Sequence, residues 1–417
     1  MKVLFLNTHS TLNLGDTGIV LAQIQLLKEI FPEIKIALTS RTPKRDRAFY
    51  APLGIKVYPP FIPAPGVFVG VWEKCLGCLK NLVDLRGKAR LLREIKNSDL
   101  IISNGGGYFY SYRKIIPGPT FIQHAFHLKL AYLWNKPVIM FPQSFGPFSN
   151  SIASRLMKGI LEDSNVIKIF VREEISLHLL SGFLKQTARK KIDLCPDLTL
   201  LLWNKGPRET DRIISSRARP RLALTLRDWN FPGVKGEKQK EQKREEYLAA
   251  LLETSASFLD QFGGTVIIVP QVKGPGNLEN DTLISKEFWE KSRQLEGRKN
   301  ILLFPPERLT SPYDIIDLFS RSDLVVATRF HSALFALVAS TPFISIGYQH
   351  KSSGMLRALG LEDFLVDIEA VSCEQIMSLI RPILNRPDDI RSQINSTVNS
   401  TRRRITVKLR ESLKNFQ

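Results

Sequence analysis

A pattern that occurs twice constrains this chain most. Ser98-Asp99-Leu100 and Ser322-Asp323-Leu324 each lead into a short apolar run, a polar turn and a helix-forming segment. A second apolar run then starts at a proline, Pro137 in one case and Pro342 in the other. Apolar runs of this length, bounded by turns, suit strands buried on both faces. The alanine- and leucine-rich segment 332–340 suits a buried helix. Strand, helix and strand in this order is the unit of a parallel α/β sheet. With 417 residues to distribute, the repetition predicts two such domains.

The expected class is therefore α/β and GT-B-like, with two Rossmann-like domains whose parallel sheets face each other across a cleft. The first domain is expected over 1–205 and the second over 220–375, with a basic helical segment over 376–417. A charged run around 204–219 reads as the linker. In such sheets ligands sit beyond the carboxyl ends of the strands, so the residues that follow each strand are the candidates for chemistry.

In the second half, Arg329 and His331 follow the strand that starts at Leu324, and Lys351 follows the next. Together with a helix N-terminus they describe a crevice for a phosphorylated or carboxylated ligand. Taken singly, Arg329 also reads as an ion-pair partner and His331 as a packed turn residue. In the first half, strand 3–6 is followed by Asn13-Leu14-Gly15-Asp16, which is not the Gly-x-Gly-x-x-Gly of a dinucleotide fold. Asp16 reads equally as the N-cap of a helix over 17–30. Gly105 and Gly106, within a run of three glycines, let a ligand or another backbone come close. Gln143 and Ser144 follow the strand that starts at Pro137. Arg172 ends a further strand, as an anion contact oriented by Glu173 or as an ordinary ion pair. Arg227 and Asp228 end the first strand of the second half. The lysine-rich stretch 233–246 reads as solvated and mobile, with a helix only from Tyr247.

The bulk numbers narrow the setting. The net charge is +19, with 59 Lys plus Arg against 40 Asp plus Glu, which favours anionic partners. The basic residues are spread along the chain and lack the interleaved aromatics of a nucleic-acid motif, so no nucleic-acid partner is expected. Four cysteines are too few for a disulfide framework. Cys75 and Cys78 have knuckle spacing but no second pair, and no metal is expected. The N-terminus turns polar at Asn7, too early for a signal peptide, so a cytoplasmic protein is expected. Prolines and aromatics alternate over 51–85; this stretch reads as a lid or interfacial patch, or as a loop packed on its own domain. The basic C-terminal helix reads as a solvated face, as a last helix that crosses back to the first domain as in GT-B architectures, or as a peripheral contact with anionic lipid at the inner membrane face.

The ordered set Asn13-x-Gly15-Asp16, Gly105-Gly106-Gly107, Pro142-Gln143-Ser144-x-Gly146-Pro147, Arg172-Glu173, Pro196-Asp197, Arg329-x-His331, Gly347-Tyr348 and Lys351 resembles the polysaccharide pyruvyl transferase family over roughly 1–370. That resemblance implies transfer of the enolpyruvyl unit of phosphoenolpyruvate to a sugar of a glycan or lipid-linked saccharide. The products are a pyruvate ketal and phosphate, and no cofactor is needed beyond the donor substrate. His331 is then the expected general acid, since arginine cannot give up its proton. Arg329, Lys351 and Arg172 are expected to hold phosphate and carboxylate, with Arg227 touching the donor by analogy. Asp16 and Asp228 are expected to orient or deprotonate acceptor hydroxyls. Asn13, Gly105, Gly106, Gln143 and Ser144 complete the binding set. One rival is a nucleotide-sugar glycosyltransferase of the same fold, with Glu362 or Asp363 on the ribose. The other is a non-catalytic anion- or nucleic-acid-binding protein.

Overall fold

The computed structural model describes residues 1–62, 84–113, 115–203, 213–276, 279–295, 298–348 and 350–416, without the side chains of Arg298, His350 and Lys351. Cys75, Cys78, most of the 51–85 stretch and most of the expected linker lie outside the described residues. The chain divides into two compact units, one of Met1–Thr11, Asp16–Leu198 and Arg403–Gln417, the other of Leu12–Gly15 and Thr199–Arg402.

The first unit is built on a sheet of eight strands: β1 (Lys2–Leu6), β2 (Lys35–Thr39), β3 (Lys56–Tyr58), β4 (Leu100–Ser103), β5 (Gly106–Ser111), β6 (Val138–Phe148), β7 (Val166–Val171) and β8 (Ile192–Leu194). Their order is β3-β2-β1-β4-β6-β7-β8, with β5 against β6, and the pairings are parallel. The second unit holds β9 (Arg221–Thr225), β10 (Thr265–Ile268), β11 (Ile301–Leu303), β12 (Leu324–Ala327), β13 (Phe343–Gly347) and β14 (Leu365–Asp367). These form a six-stranded sheet in the order β11-β10-β9-β12-β13-β14, again all parallel. The order reverses between β1 and β4 in the first unit and between β9 and β12 in the second. A doubly wound sheet opens its ligand crevice at that reversal. The central strands are largely apolar because helices cover both faces; in β12, Leu324, Val325, Val326 and Ala327 are each fully buried.

Six helices matter below: α1 (Leu14–Ile30), α2 (Leu85–Asn97), α3 (Pro119–Tyr132), α4 (Asp281–Ser292), α5 (Phe330–Val338) and α6 (Pro387–Leu413). Three local expectations are corrected. The helix expected from residue 17 starts at Leu14, because the Asn13 side chain accepts the Gly15 N–H at 3.0 Å and caps the first turn. Gly106 and Gly107, read only as part of a glycine run after a strand, open a further strand over Gly106–Ser111, and Pro142–Pro147 lie within β6 rather than after it. The stretch 233–246 is not a loop throughout. A helix runs over Glu237–Phe262, its opening turns held by Lys240–Glu237 at 2.6 Å, Lys243–Glu246 at 2.9 Å and Arg244–Glu241 at 3.5 Å. Glu, Lys and Gln are strong helix formers, and pairs at this spacing add to that preference.

The basic C-terminal helix is tied into the protein. Arg402 donates to the carbonyls of Leu200 and Leu202. Lys408 binds Asp193 and the Leu194 carbonyl, both at 2.7 Å, and Arg410 binds Glu29 at 2.5 Å. Among the described residues no helix is long and apolar enough to cross a membrane.

Candidate active site

In the second unit the carboxyl ends of β9 and β12 lie side by side, since Thr225 pairs with Ala327. Arg227 follows the first and Arg329 and His331 the second. The Arg227 N–H donates to the Tyr247 hydroxyl at 3.3 Å, and that hydroxyl is 3.0 Å from Thr328 Oγ1. This chain stitches the two strand ends together. The Arg227 guanidinium lies over Trp229, at 5.1 Å from the ring centre, and over Tyr348, at 4.4 Å, and donates to the Tyr348 hydroxyl at 2.5 Å. Its Nε is buried and has no hydrogen-bond partner among the described residues. Aromatic faces hold a guanidinium in one plane, so the orientation of this fork is fixed.

Arg329 is the N-cap residue of α5 and is buried. Its Nε reaches both Asp281 carboxylate oxygens, at 2.9 and 3.0 Å, and its Nη2 reaches Asp281 again and the Glu279 carbonyl at 2.8 Å. Burial opposes the charge of this guanidinium, but attraction to Asp281 outweighs it and moves its pKa upward. Much of the fork is thus committed within the protein. Asp281, at the start of α4, also accepts the Val272 N–H at 2.9 Å. The neighbouring Lys273 N–H donates to the Leu12 carbonyl at 2.8 Å, and Asn13 pairs with Val272 as an antiparallel bridge. This strip lays Gly15 against His331. A Cβ on Gly15 would fall 2.6 Å from His331 Cγ and 2.8 Å from its Cβ. The imidazole, on the first turn of α5, is also edged by Phe330 at 5.2 Å. Asp228, expected beside the acceptor, pairs with Arg244 at 2.9 Å on the helix Glu237–Phe262. The Lys351 side chain lies outside the described residues.

In the first unit the crevice between β1 and β4 holds a buried polar cluster. Asn7, at φ 63° just past β1, is its hub. Its Oδ1 is 3.0 Å from His124 Nδ1 and 3.3 Å from His127 Nδ1; its Nδ2 reaches the His124 carbonyl at 3.3 Å and Ser103 Oγ at 3.4 Å. An amide oxygen can only accept, so both imidazoles carry their proton on Nδ1. His127 Nε2 accordingly accepts the Phe61 N–H at 3.1 Å. Burial lowers the pKa of both, that of His127 to about 4, and neighbouring His9 and His127 add to the shift of His124.

Asp16 does not cap α1, since Asn13 does, and instead meets His9 Nδ1 at 3.0 Å. That contact fixes the orientation of the His9 ring. Nε2 of His9 and of His124 are both buried with no partner among the described residues, and the two rings stack at 5.4 Å. The Gln143 amide, Asn104 Oδ1 and the Gln23 amide are likewise buried without a partner among the described residues. Buried polar atoms are almost always hydrogen-bonded, so this concentration makes the reversal point of the first unit a candidate site for a polar ligand. Gly105 and Gly106 serve backbone geometry here. A Cβ on Gly105 would lie 2.8 Å from the Pro142 carbonyl oxygen, and Gly106 adopts φ 144°.

Arg172 is neither exposed nor loosely paired. It is buried, with Nη1 on Asp197 at 2.5 Å and Nε and Nη2 on Ser144 Oγ at 3.2 and 2.8 Å. Ser144 in turn donates to Glu173 at 2.9 Å, so Glu173 acts on Arg172 through a hydroxyl. Among the described residues no three His, Cys, Asp or Glu side chains are placed to share a metal ion.

Sequence reasoning missed His9, His124, His127 and Asp281. His124 and His127 carried a usable signal, two imidazoles three apart on an otherwise apolar helix and therefore on one buried face.

Two parallel α/β units of 3-2-1-4 winding, each with polar side chains at its reversal point, define a GT-B-like fold. HepE of Anabaena, solved with UDP-glucose, matches with a TM-score of 0.59 at 12% identity, covering 100% of this chain and 99% of that one. The UDP-GlcNAc 2-epimerase of Neisseria meningitidis, solved with UDP-GlcNAc, also matches at 0.59, with 14% identity and full coverage of both chains. In sequence, the amylovoran biosynthesis protein AmsJ of Erwinia amylovora is 21% identical over 434 residues, covering 96% of each chain. The family model of polysaccharide pyruvyl transferase matches residues 13–350, and the chain belongs to that family.

Proposed function

We propose that the protein transfers the enolpyruvyl unit of phosphoenolpyruvate to two hydroxyls of one sugar, on a glycan or a lipid-linked saccharide, giving a cyclic pyruvate ketal and phosphate. The observation that carries this reading is the placement of Arg227 and His331 after adjacent, paired strand ends. A cation and an imidazole thus follow neighbouring strand ends of one sheet.

Arg227 holds the donor's carboxylate or phosphate, with Lys351 as a second cation. Arg329, largely occupied by Asp281, positions the first turn of α5 and lends its remaining fork nitrogen. His331, as imidazolium, protonates the methylene carbon, and positive charge develops at the central carbon. A sugar hydroxyl attacks that carbon, the C–O bond to phosphate breaks, and a second hydroxyl closes the ketal. Of the two hydroxyl protons, one replaces the proton spent on the methyl group and the other leaves with phosphate. In the first unit Asp16 orients His9, and that pair is the proposed contact for acceptor hydroxyls. Gln143, Asn104 and Gln23 are suited to bind further hydroxyls. Arg172 and Ser144 hold β6 and β7 in register beneath them, and Asp228 steadies the loop after β9 through Arg244.

The competing donor is a nucleotide sugar. Phosphoenolpyruvate should raise the melting temperature of the protein while UDP-glucose should not. Stabilisation by UDP-glucose alone would favour a glycosyltransferase.

A further inference from the structure

The outward positions of α3 reverse the usual pattern of a surface helix. Residues 122, 126, 129 and 133 follow one another at three- and four-residue steps and so share one face. They are Ile122, Phe126, Lys129 and Leu133, of which Ile122 is 39% exposed, Phe126 36% and Leu133 73%. The segment leading into the helix adds Ile115 at 80% and Ile116 at 58%. The opposite face is committed to the core and to the histidine cluster, so the outer apolar residues have no part in either. Exposed apolar residues are unremarkable singly, but a contiguous set marks a contact surface.

Beside this stripe lies a basic helix. Phe61 packs against Phe126 with the rings tilted and 5.7 Å between their centres, and Lys88 of α2 lies over the Phe61 ring at 5.2 Å, which joins the two helices. The same helix carries Arg86, Arg90, Arg93 and Lys96 on its exposed side. Arg86 and Arg90 also line a cavity of about 720 Å³ with Arg47 and Lys56. An apolar stripe bordered by cations complements the boundary between anionic headgroups and acyl chains. It does not suit a second copy of the same basic chain, which would bring like charges together.

We infer that the α2–α3 face of the first unit docks on an anionic phospholipid surface, with Ile122, Phe126 and Leu133 entering the acyl boundary and α2 over the headgroups. The C-terminal helix, whose Arg402, Lys408 and Arg410 are engaged within the protein, is not the docking element. This inference stands independently of the proposed reaction.

The test is co-sedimentation of the full-length protein with vesicles of phosphatidylcholine alone or mixed with phosphatidylglycerol. Binding should require the anionic lipid and weaken with salt. Ile122→Ser/Phe126→Ser/Leu133→Ser should weaken it about tenfold or more, as should Arg86→Glu/Arg90→Glu/Arg93→Glu. Arg403→Glu/Arg404→Glu should bind like the parent. A fluorescent amino acid replacing Phe126 should shift to the blue on adding anionic vesicles, and one replacing the exposed Ile152 should not; this readout does not depend on a loss of binding. Parent-like binding by the apolar variant, absence of binding by the parent, or self-association through this face with no vesicle binding would each overturn the inference.

Discussion

Gly15 lies against the ring of His331, so closely that a Cβ at position 15 would come within 2.6 Å of the imidazole Cγ. Two motifs more than 300 positions apart are therefore one structural device, in which the missing side chain of one sets the position of the other. Gly15→Ala should push the imidazole aside without unfolding the protein. Turnover should fall on the order of 10²-fold, as for a reacting group displaced by about an ångström, while phosphoenolpyruvate affinity changes little. Steady-state kinetics beside a donor-binding isotherm would check this. Equal loss of both would show that Gly15 serves the fold instead.

Asp281 and Arg329 form a buried pair, and each makes the other tolerable. Asp281→Ala would leave a guanidinium buried without its carboxylate and should cost about 3–5 kcal/mol in chemical denaturation. Replacing both residues with apolar ones of similar size should recover most of that loss. A single Asp281→Ala variant as stable as the parent would mean that the pair contributes little.

Arg227 is held between Trp229 and Tyr348, where planarity matters as much as charge. Arg227→Lys keeps the charge but loses the stacking and the fork. The apparent KM for phosphoenolpyruvate should rise about tenfold or more, with a smaller change in kcat. An unchanged KM would place the donor elsewhere.

The histidines of α3 predict a pH dependence of stability. His127 is held neutral by burial, with a pKa lowered to about 4 from 6.5. Below the ordinary value the unfolded chain binds a proton that the folded protein does not, so stability is full above about pH 6.5 and declines as the pH falls toward 4. Between pH 7 and 5 this group should cost about 2 kcal/mol. His124, shifted in the same direction, adds to the loss. Melting curves against pH should show the decline, and His127→Gln should make it shallower. A profile unchanged by that substitution would remove His127 as its source.

Much of the architecture was legible because it rests on local patterns. The apolar runs at Leu100 and Leu324 and the prolines at 137 and 342 announce two parallel α/β units, and the family follows from motifs at strand ends. The strand Gly106–Ser111 was not legible, since glycine has little strand preference and its partner, β6, lies beyond a helix. The early start of the helix Glu237–Phe262 was hidden because a run of lysine and glutamate reads alike as solvated coil and as ion-paired helix. At the site, sequence pointed to Arg172 and Arg329 as available cations. It could not show that Asp197 and Asp281, distant along the chain, take up much of their hydrogen-bonding capacity. Nor could it show that Asn7 gathers two imidazoles, because that contact exists only once β1 and α3 have packed.

The central claim is that this crevice turns phosphoenolpyruvate into a sugar ketal. The most direct measurement is mass spectrometry of candidate saccharide acceptors incubated with the protein and phosphoenolpyruvate, with released phosphate assayed in parallel. The account predicts one pyruvate ketal gained per phosphate released, and neither product with His331→Ala, although that variant still binds the donor. Ketal formation that persists in His331→Ala would contradict the assigned acid, and glycosyl transfer from UDP-glucose without any phosphoenolpyruvate turnover would contradict the account itself.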